Sequence, residues 1–385
     1  MMKSRNTEFG QLCIICEGES TENNFCKDFI DYLENNNHNG CHSKDVKILP
    51  PPREKDAAPL KNARVIKKER SLNLGGTLQI NRGKPPLRWV ETGVEALKTY
   101  SEVWVLFDND NHPAKKEAFD LAKQERNNGK NLNIAFSSWS FEYFLLQHFE
   151  FLYHSFNHTE HRVHNVTCNC CSANPQIGAC DGILGDSNKP ACISGYARNK
   201  GYWVDSKTTD VFAVIPNIWK GICNAHHVRW QTINKDFETE EEYRKEIYDL
   251  NPYLDTYRLM LRLMNLKELD CYKIVETKSK LKIKLDGFDL VIYNSNNRSY
   301  IINPNNVVRC RVVVDNKEKL QYEEVRQCER KELEVGDVLV ASLDPISTDE
   351  FYLLDFEGDR FFLGIPPDKG DYSDEYLEKY HYSDL

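Results

Sequence analysis

The chain has 385 residues, 40% of them apolar, with a net charge of −9; that length allows two or three domains with a sizeable core, and the acidic balance excludes a uniformly basic nucleic-acid binder. No apolar run approaches the ~18 residues that a membrane span needs, and the first ten residues lack the apolar stretch of a secretion signal. The 13 cysteines are an odd number and favour free thiols or metal ligands over a disulfide framework, so a cytoplasmic protein without membrane attachment is expected.

Residues 11–16 read as a short buried strand that ends in Glu17-Gly18-Glu19. Thr21 to Glu34 reads as a helix, with Thr21 as N-cap and Phe25, Phe29, Ile30 and Leu33 at helical spacing. Val46–Leu49 is a second strand, closed by three prolines. A long loop follows, from residue 50 to 88, with ten Lys/Arg against three Asp/Glu. A loop of that length is usually functional or disordered. Trp89–Tyr100 is a helix, Val103–Phe107 a strand, Pro113–Asn127 a charged helix, Leu132–Phe136 a strand and Phe141–Tyr153 an aromatic-rich helix. Strands alternating with helices predict a parallel sheet with helices on both faces.

Residues 154–209 are rich in Cys, His, Asn and Gly and read as an insert. Asp210–Thr232 and Glu240–Leu269 return to helical patterning. Beyond Cys271 the chain turns β-like. Lys280–Leu285, Leu290–Tyr293, Ser299–Ile302, Val307–Val314 and Val338–Ser342 read as strands of a small antiparallel barrel or sandwich over 271–365. An acidic, Tyr-rich tail occupies 366–385.

Asp108 and Asp110 follow the strand Val103–Phe107 at a spacing that puts both carboxylates on one side of an extended chain. Glu17 stands at the end of another strand. Ligands in open α/β sheets bind beyond the carboxyl ends of strands, and carboxylates on rigid strand ends suit Mg²⁺ or Mn²⁺, which take hard oxygen ligands. Such a metal polarises a phosphoryl oxygen and activates water. Glu22 is a second carboxylate that can manage protons beside Glu17. The basic loop supplies Lys61, Arg64, Lys67, Lys68, Arg82, Lys84 and Arg88 as candidate contacts to a phosphate backbone. As the bland reading, Asp-x-Asp after a strand is ordinary loop chemistry and a charge run is a solvated surface.

Three stretches, Ile15–Glu22, Val105–His112 and Ser138–Phe149, together resemble the RloB family, which carries a Toprim-type catalytic domain. The resemblance covers roughly residues 11–270 and includes the helix at Asn251–Met260. It matches Glu17, Gly18, Asp108 and Asp110 to the Toprim acids and places Glu22 and Glu142 in recurrent family stretches. Ser138-Trp139-Ser140 departs from the Asn-Pro-Cys usual there. The expected organisation is a Toprim-like α/β domain at 11–153, a Cys/His-rich insert at 154–209 that the resemblance leaves unmatched, helical completion at 210–270 and, outside the resemblance, a small β domain at 271–365. The implied activity is Mg-dependent phosphodiester cleavage by the toxic effector of a bacterial anti-phage (abortive infection) system. An ABC- or SMC-like ATPase partner goes with it, and RNA, especially tRNA, is favoured as substrate. Three alternatives stand beside it: a DNA endonuclease of the OLD type working with an ATPase, strand transfer or primer synthesis, and a non-catalytic nucleic-acid- or partner-binding subunit. A homodimer is compatible with all of them.

Cys168-x-x-Cys171 and Cys223-x-x-His226 have zinc-ligand spacings, which makes a structural Zn²⁺ site a candidate. Reduced thiols, with Cys223 on the apolar face of a helix, are the competing reading. His154, His158 and His161 share one face if their segment is helical.

Overall fold

The computed structural model describes residues 12–18, 21–36, 40–50, 86–109, 112–156, 162–163, 166–167, 192–203, 214–233, 246–269, 274–286, 288–314, 320–326, 329–344 and 346–364. Four parallel strands form the centre: β1 (Leu12–Cys16), β2 (Val46–Leu49), β3 (Glu102–Asp108) and β4 (Asn131–Ser138). The sheet order is β2-β1-β3-β4, and a short antiparallel strand β7 (Tyr253–Leu254) extends it beside β4. The predicted parallel sheet is therefore present, with one antiparallel edge.

Both faces of this sheet are covered, which explains why β1 and β3 read as unbroken apolar runs. Successive side chains alternate between two cores. Leu12, Ile14, Cys16, Trp104 and Leu106 join one core, with helix α1 (Thr21–Asn35) through Phe25, Phe29 and Leu33. Cys13, Ile15, Val103, Val105 and Phe107 join the other, with α2 (Pro86–Ala96) and α3 (Lys115–Asn127) through Trp89, Val90, Ala118 and Phe119. Phe107, Phe119 and Phe136 meet edge to face at 5.4–5.8 Å, the arrangement that aromatic quadrupoles prefer.

Several elements differ from the sequence reading. The helix after β4, α4, covers only Phe141–Leu146 rather than reaching Tyr153. The chain turns back there because Gln147 and Leu152 bond each other through side chain and backbone (3.0 and 3.3 Å), and the Tyr143 hydroxyl donates to the Leu152 carbonyl at 2.6 Å. Residues 151–156 are irregular. His154 therefore presents no helical face, and His158 and His161 lie outside the described residues. A short β5–β6 pair follows (Arg162–Val163 with Val166–Thr167), then helix α5 (Ile193–Lys200).

The helix predicted from Asp210 has its described part at α6 (Ile218–Ile233), entered through a 3-10 turn at Ile215–Asn217. The predicted helix Glu240–Leu269 is not continuous. Pro252 cannot donate a helical hydrogen bond, Tyr253–Leu254 pairs with β4, and α7 spans only Thr256–Leu263.

The C-terminal region is antiparallel β, as expected. One sheet has four strands: β9 (Val275–Glu276), β10 (Leu281–Asp286), β11 (Asp289–Asn294) and β16 (Val338–Ser342). A β12–β15 pair joins Tyr300–Ile302 to Lys331–Leu333. The last sheet holds β13 (Val307–Val314), β14 (Leu320–Arg326), β17 (Glu350–Phe356) and β18 (Asp359–Leu363), and β8 (Lys267–Glu268) pairs parallel with β18. Among the described residues, the buried side chains of these strands belong to a larger core. Leu281, Ile292, Phe351 and Phe362 are continuous with the core that covers one face of the central sheet. Trp219 of α6 stacks on Phe351 at 4.6 Å and 15°.

Among the described residues, no helix is long and apolar enough to cross a membrane.

Candidate active site

The carboxyl ends of β1, β3 and β4 lie side by side, and the loops that leave them carry polar groups. Parallel register sets Cys16 beside Leu106, and Asp108 beside Ser137. The ladder continues one step past β1, where the Glu17 N–H donates to the Leu106 carbonyl at 2.9 Å. The Glu17 side chain then reaches across, and its Oε2 accepts the Asp108 N–H at 3.1 Å. Its Oε1 lies 2.8 Å from His112 Nε2. Asp108 is buried at 8% exposure. The pair predicted from two separate strand ends is thus assembled at one place by strand order alone.

Glu22 belongs to the same end of the sheet. It sits in the first turn of α1 at 9% exposure. Its carboxylate lies over Gly18, where an added Cβ would stand 1.8 Å from Glu22 Oε2. Gly18 is therefore required for close approach of a side chain. Glu142 opens α4 just beyond β4 and is partly exposed. Asp110 lies outside the described residues; Asn109 and His112 on either side of residues 110–111 are held by backbone bonds. The Asn109 N–H donates to the Ser137 carbonyl at 3.0 Å, and the His112 N–H donates to the Asn109 carbonyl at 2.8 Å.

Sequence reasoning missed Asn109, His112 and Lys115. Asn109 is 5% exposed, its Nδ2 donates to Ser138 Oγ at 3.0 Å, and its Oδ1 accepts from Lys115 Nζ. The overlooked signal was a lysine pair, Lys115-Lys116, opening a helix a few residues after the Asp108-x-Asp110 motif.

Among the described residues, no three His, Cys, Asp or Glu side chains converge closely enough to chelate an ion. What the site offers is a hard-oxygen set on two adjacent strand ends, and this suits a cation that keeps much of its water shell. Cys16 and Cys13 contribute no ligand. Both are fully buried, and burial pushes both thiols up, Cys13 to about 12.

The other predicted contacts fall elsewhere. Lys61, Arg64, Lys67, Lys68, Arg82 and Lys84 lie outside the described residues, as do Cys168 and Cys171. Arg88 is exposed in α2 and pairs with Glu91 one turn on, at 2.5 Å. Cys223 packs in the core, and burial holds its thiol well above the usual range. His226 has both ring nitrogens engaged. Nδ1 faces Glu268 at 3.2 Å and the Tyr257 hydroxyl at 3.3 Å, and Nε2 lies 2.8 Å from the Gly364 carbonyl.

This contact belongs to a second, buried ionic cluster. Glu268 lies 2.9 Å from Arg258 and 4.0 Å from Arg229. Burial alone would raise its carboxyl, but Arg258, His226 and Arg229 hold it well below the usual carboxylate range. Nearby, Asp255 Oδ1 accepts the Phe136 N–H at 2.5 Å, and burial raises its carboxyl to about 6. Ser137 and Thr256 share a hydroxyl–hydroxyl bond at 2.7 Å. Asp255 and Thr256 thus buttress β4 directly behind the end that holds Asn109.

No curated protein and no solved structure matches the chain. The family model described as RloB-like protein matches residues 12–263, which contain every strand end and helix start of this site. The chain belongs to the RloB-like protein family.

Proposed function

We propose that the chain is a divalent-metal-dependent nuclease in which Glu17, Asp108 and Asp110 hold Mg²⁺ or Mn²⁺. The observation that carries this reading is the Glu17 carboxylate bound across to the Asp108 backbone at adjacent parallel strand ends, in the crevice where open α/β sheets bind ligands. The bound ion would supply charge stabilisation to a phosphodiester and a more acidic water. His112 fixes the rotamer of Glu17 through its contact at Oε1. Glu22, pressed against Gly18, is positioned to exchange a proton with water at the site. The resemblance to RloB proteins supports a role as a toxic effector in bacterial anti-phage defence, with RNA, tRNA in particular, as substrate and an ABC- or SMC-like ATPase as partner.

The test uses bulk tRNA and plasmid DNA, each with Mg²⁺ or Mn²⁺. The wild type should cleave one of them. Glu17→Ala and Asp108→Ala should reduce cleavage to the metal-free level while their melting temperatures stay near that of the wild type. Cleavage by Glu17→Ala at the wild-type rate would overturn the assignment. A wild type that binds but never cuts would make the chain a non-catalytic subunit.

A further inference from the structure

We propose that β16 is a docking edge for a second copy of this chain, the two β16 strands pairing antiparallel about a two-fold axis at Val340. The inference stands apart from the nuclease reading.

Three observations carry it. First, β16 is an edge strand without the usual protection. Among the described residues it pairs only with β11, and its sequence, Val-Leu-Val-Ala-Ser, holds no charge and no proline. An open edge is a template for a further strand, so charge, proline or short length normally guards it. The other edges of the three larger sheets are guarded in that way. β7, β8 and β9 have two residues each, β2 carries Lys47, and β14 has Glu323, Glu324 and Arg326. Second, the outward face of β16 is apolar and open. Val338 is 49% exposed and Val340 56%, and they lie beside Tyr293, also exposed, and Val291 of β11. Third, the edge is self-complementary. The Leu343 N–H donates to the Phe288 carbonyl and the Asn294 N–H to the Asp337 carbonyl, so the odd-numbered residues of β16 bond towards β11. Antiparallel ladders alternate, and Val338, Val340 and Ser342 therefore turn their N–H and C=O groups to the outer edge. A two-fold axis at Val340 sets Val340 against Val340 of the second copy and Val338 against its Ser342, each as a mutually hydrogen-bonded pair. Leu339 then meets Ala341. Asp337 and Asp344 fall opposite Leu343 and Gly336, so no like charges are set directly against each other. This match of the strand to its own reverse is what an isologous contact requires, and it selects a second copy over an unrelated strand.

Pairing of two five-residue strands makes a small interface, so the association should depend on concentration. Sedimentation velocity of the full chain over a roughly hundred-fold range of concentration should show monomer passing into dimer. In the dimer, the Val338, Val340 and Ser342 amides should exchange hydrogen about tenfold more slowly. Val340→Lys sets two ammonium groups against each other at the axis and should leave a monomer with an unchanged melting temperature. Val340→Glu should do the same. An equimolar mixture of the two variants should dimerise again, because the axis brings the new lysine to the new glutamate. A wild type that stays monomeric throughout overturns the proposal, as does a dimer that Val340→Lys leaves intact or a mixture that does not associate. Slow exchange of the three amides in a monomer would show that another segment of the same chain covers the edge, and overturns it equally.

Discussion

Gly18 is the residue whose replacement isolates the geometry of the candidate site from stability. The three atoms nearest to a methyl group there all belong to the Glu22 carboxyl group, the far end of a side chain that can swing aside. Gly18→Ala should therefore lower cleavage strongly while changing unfolding free energy by less than about 1 kcal/mol. In a Glu22→Ala background the same substitution should have no further effect on rate, a double-mutant cycle that reads the contact directly. Asp255 offers a pH test. Its folded carboxyl is raised to about 6 by burial, against about 3.9 for an unfolded aspartate. The folded state keeps this proton while the unfolded state loses it, so the contribution to stability is greatest in acid and is lost as pH rises through about 6. Relative to Asp255→Asn, which carries no titrating group, the wild type should lose about 2 kcal/mol between pH 4 and 6, measured by denaturant unfolding at each pH. An identical pH profile in the two proteins would show that Asp255 does not titrate there. Glu268 has the opposite sign. Its folded carboxyl is lowered, so its contribution is present above about pH 4.3 and is lost as pH falls through the lowered value.

The strands were the elements most legible in the sequence. β1 and β3 are buried on both faces, and their apolar runs state this without ambiguity. Asp108 and Glu17 were legible with them, because acids at the ends of such runs stand out. Helix ends were less legible. α4 stops at Leu146 although its aromatic pattern runs on, since the Gln147–Leu152 bonds that stop it join non-adjacent groups. Pro252 breaks the pattern between Glu240 and Leu269 so that β7 can pair with Ser137 and Ser138. The same difficulty concealed Lys115. A lysine at a helix start reads as solvated, and only the fold of the preceding turn brings it to Asn109. Cys223-x-x-His226 fits a zinc spacing, yet the helix sends the two side chains into different surroundings, the apolar core and the Glu268 cluster.

The antiparallel region and the central parallel sheet share one core, and this governs how the molecule unfolds. Trp219 stacks on Phe351 and lies 6.4 Å from Phe362, β18 pairs with β8, and His226 reaches the Gly364 carbonyl. Trp219→Ala should cost roughly 3–5 kcal/mol and leave a single cooperative transition, measured by calorimetry. A chain ended at residue 270 should fail to fold, although it retains everything that the family model matches. A folded, cooperative truncated protein would show that the two parts are independent.

The amino-acid sequence alone fixed the α/β class, the run of strands and helices, the antiparallel C-terminal region and the acids at two strand ends, because apolar periodicity and charge at a boundary are local properties. The tertiary structure decided which groups meet. Parallel register sets Glu17 against the Asp108 backbone, a turn carries Lys115 to Asn109, and β8 and β18 bring Glu268 and Gly364 to His226. Each of these contacts depends on the ordering of strands and on hydrogen bonds between distant residues, which no window of sequence contains.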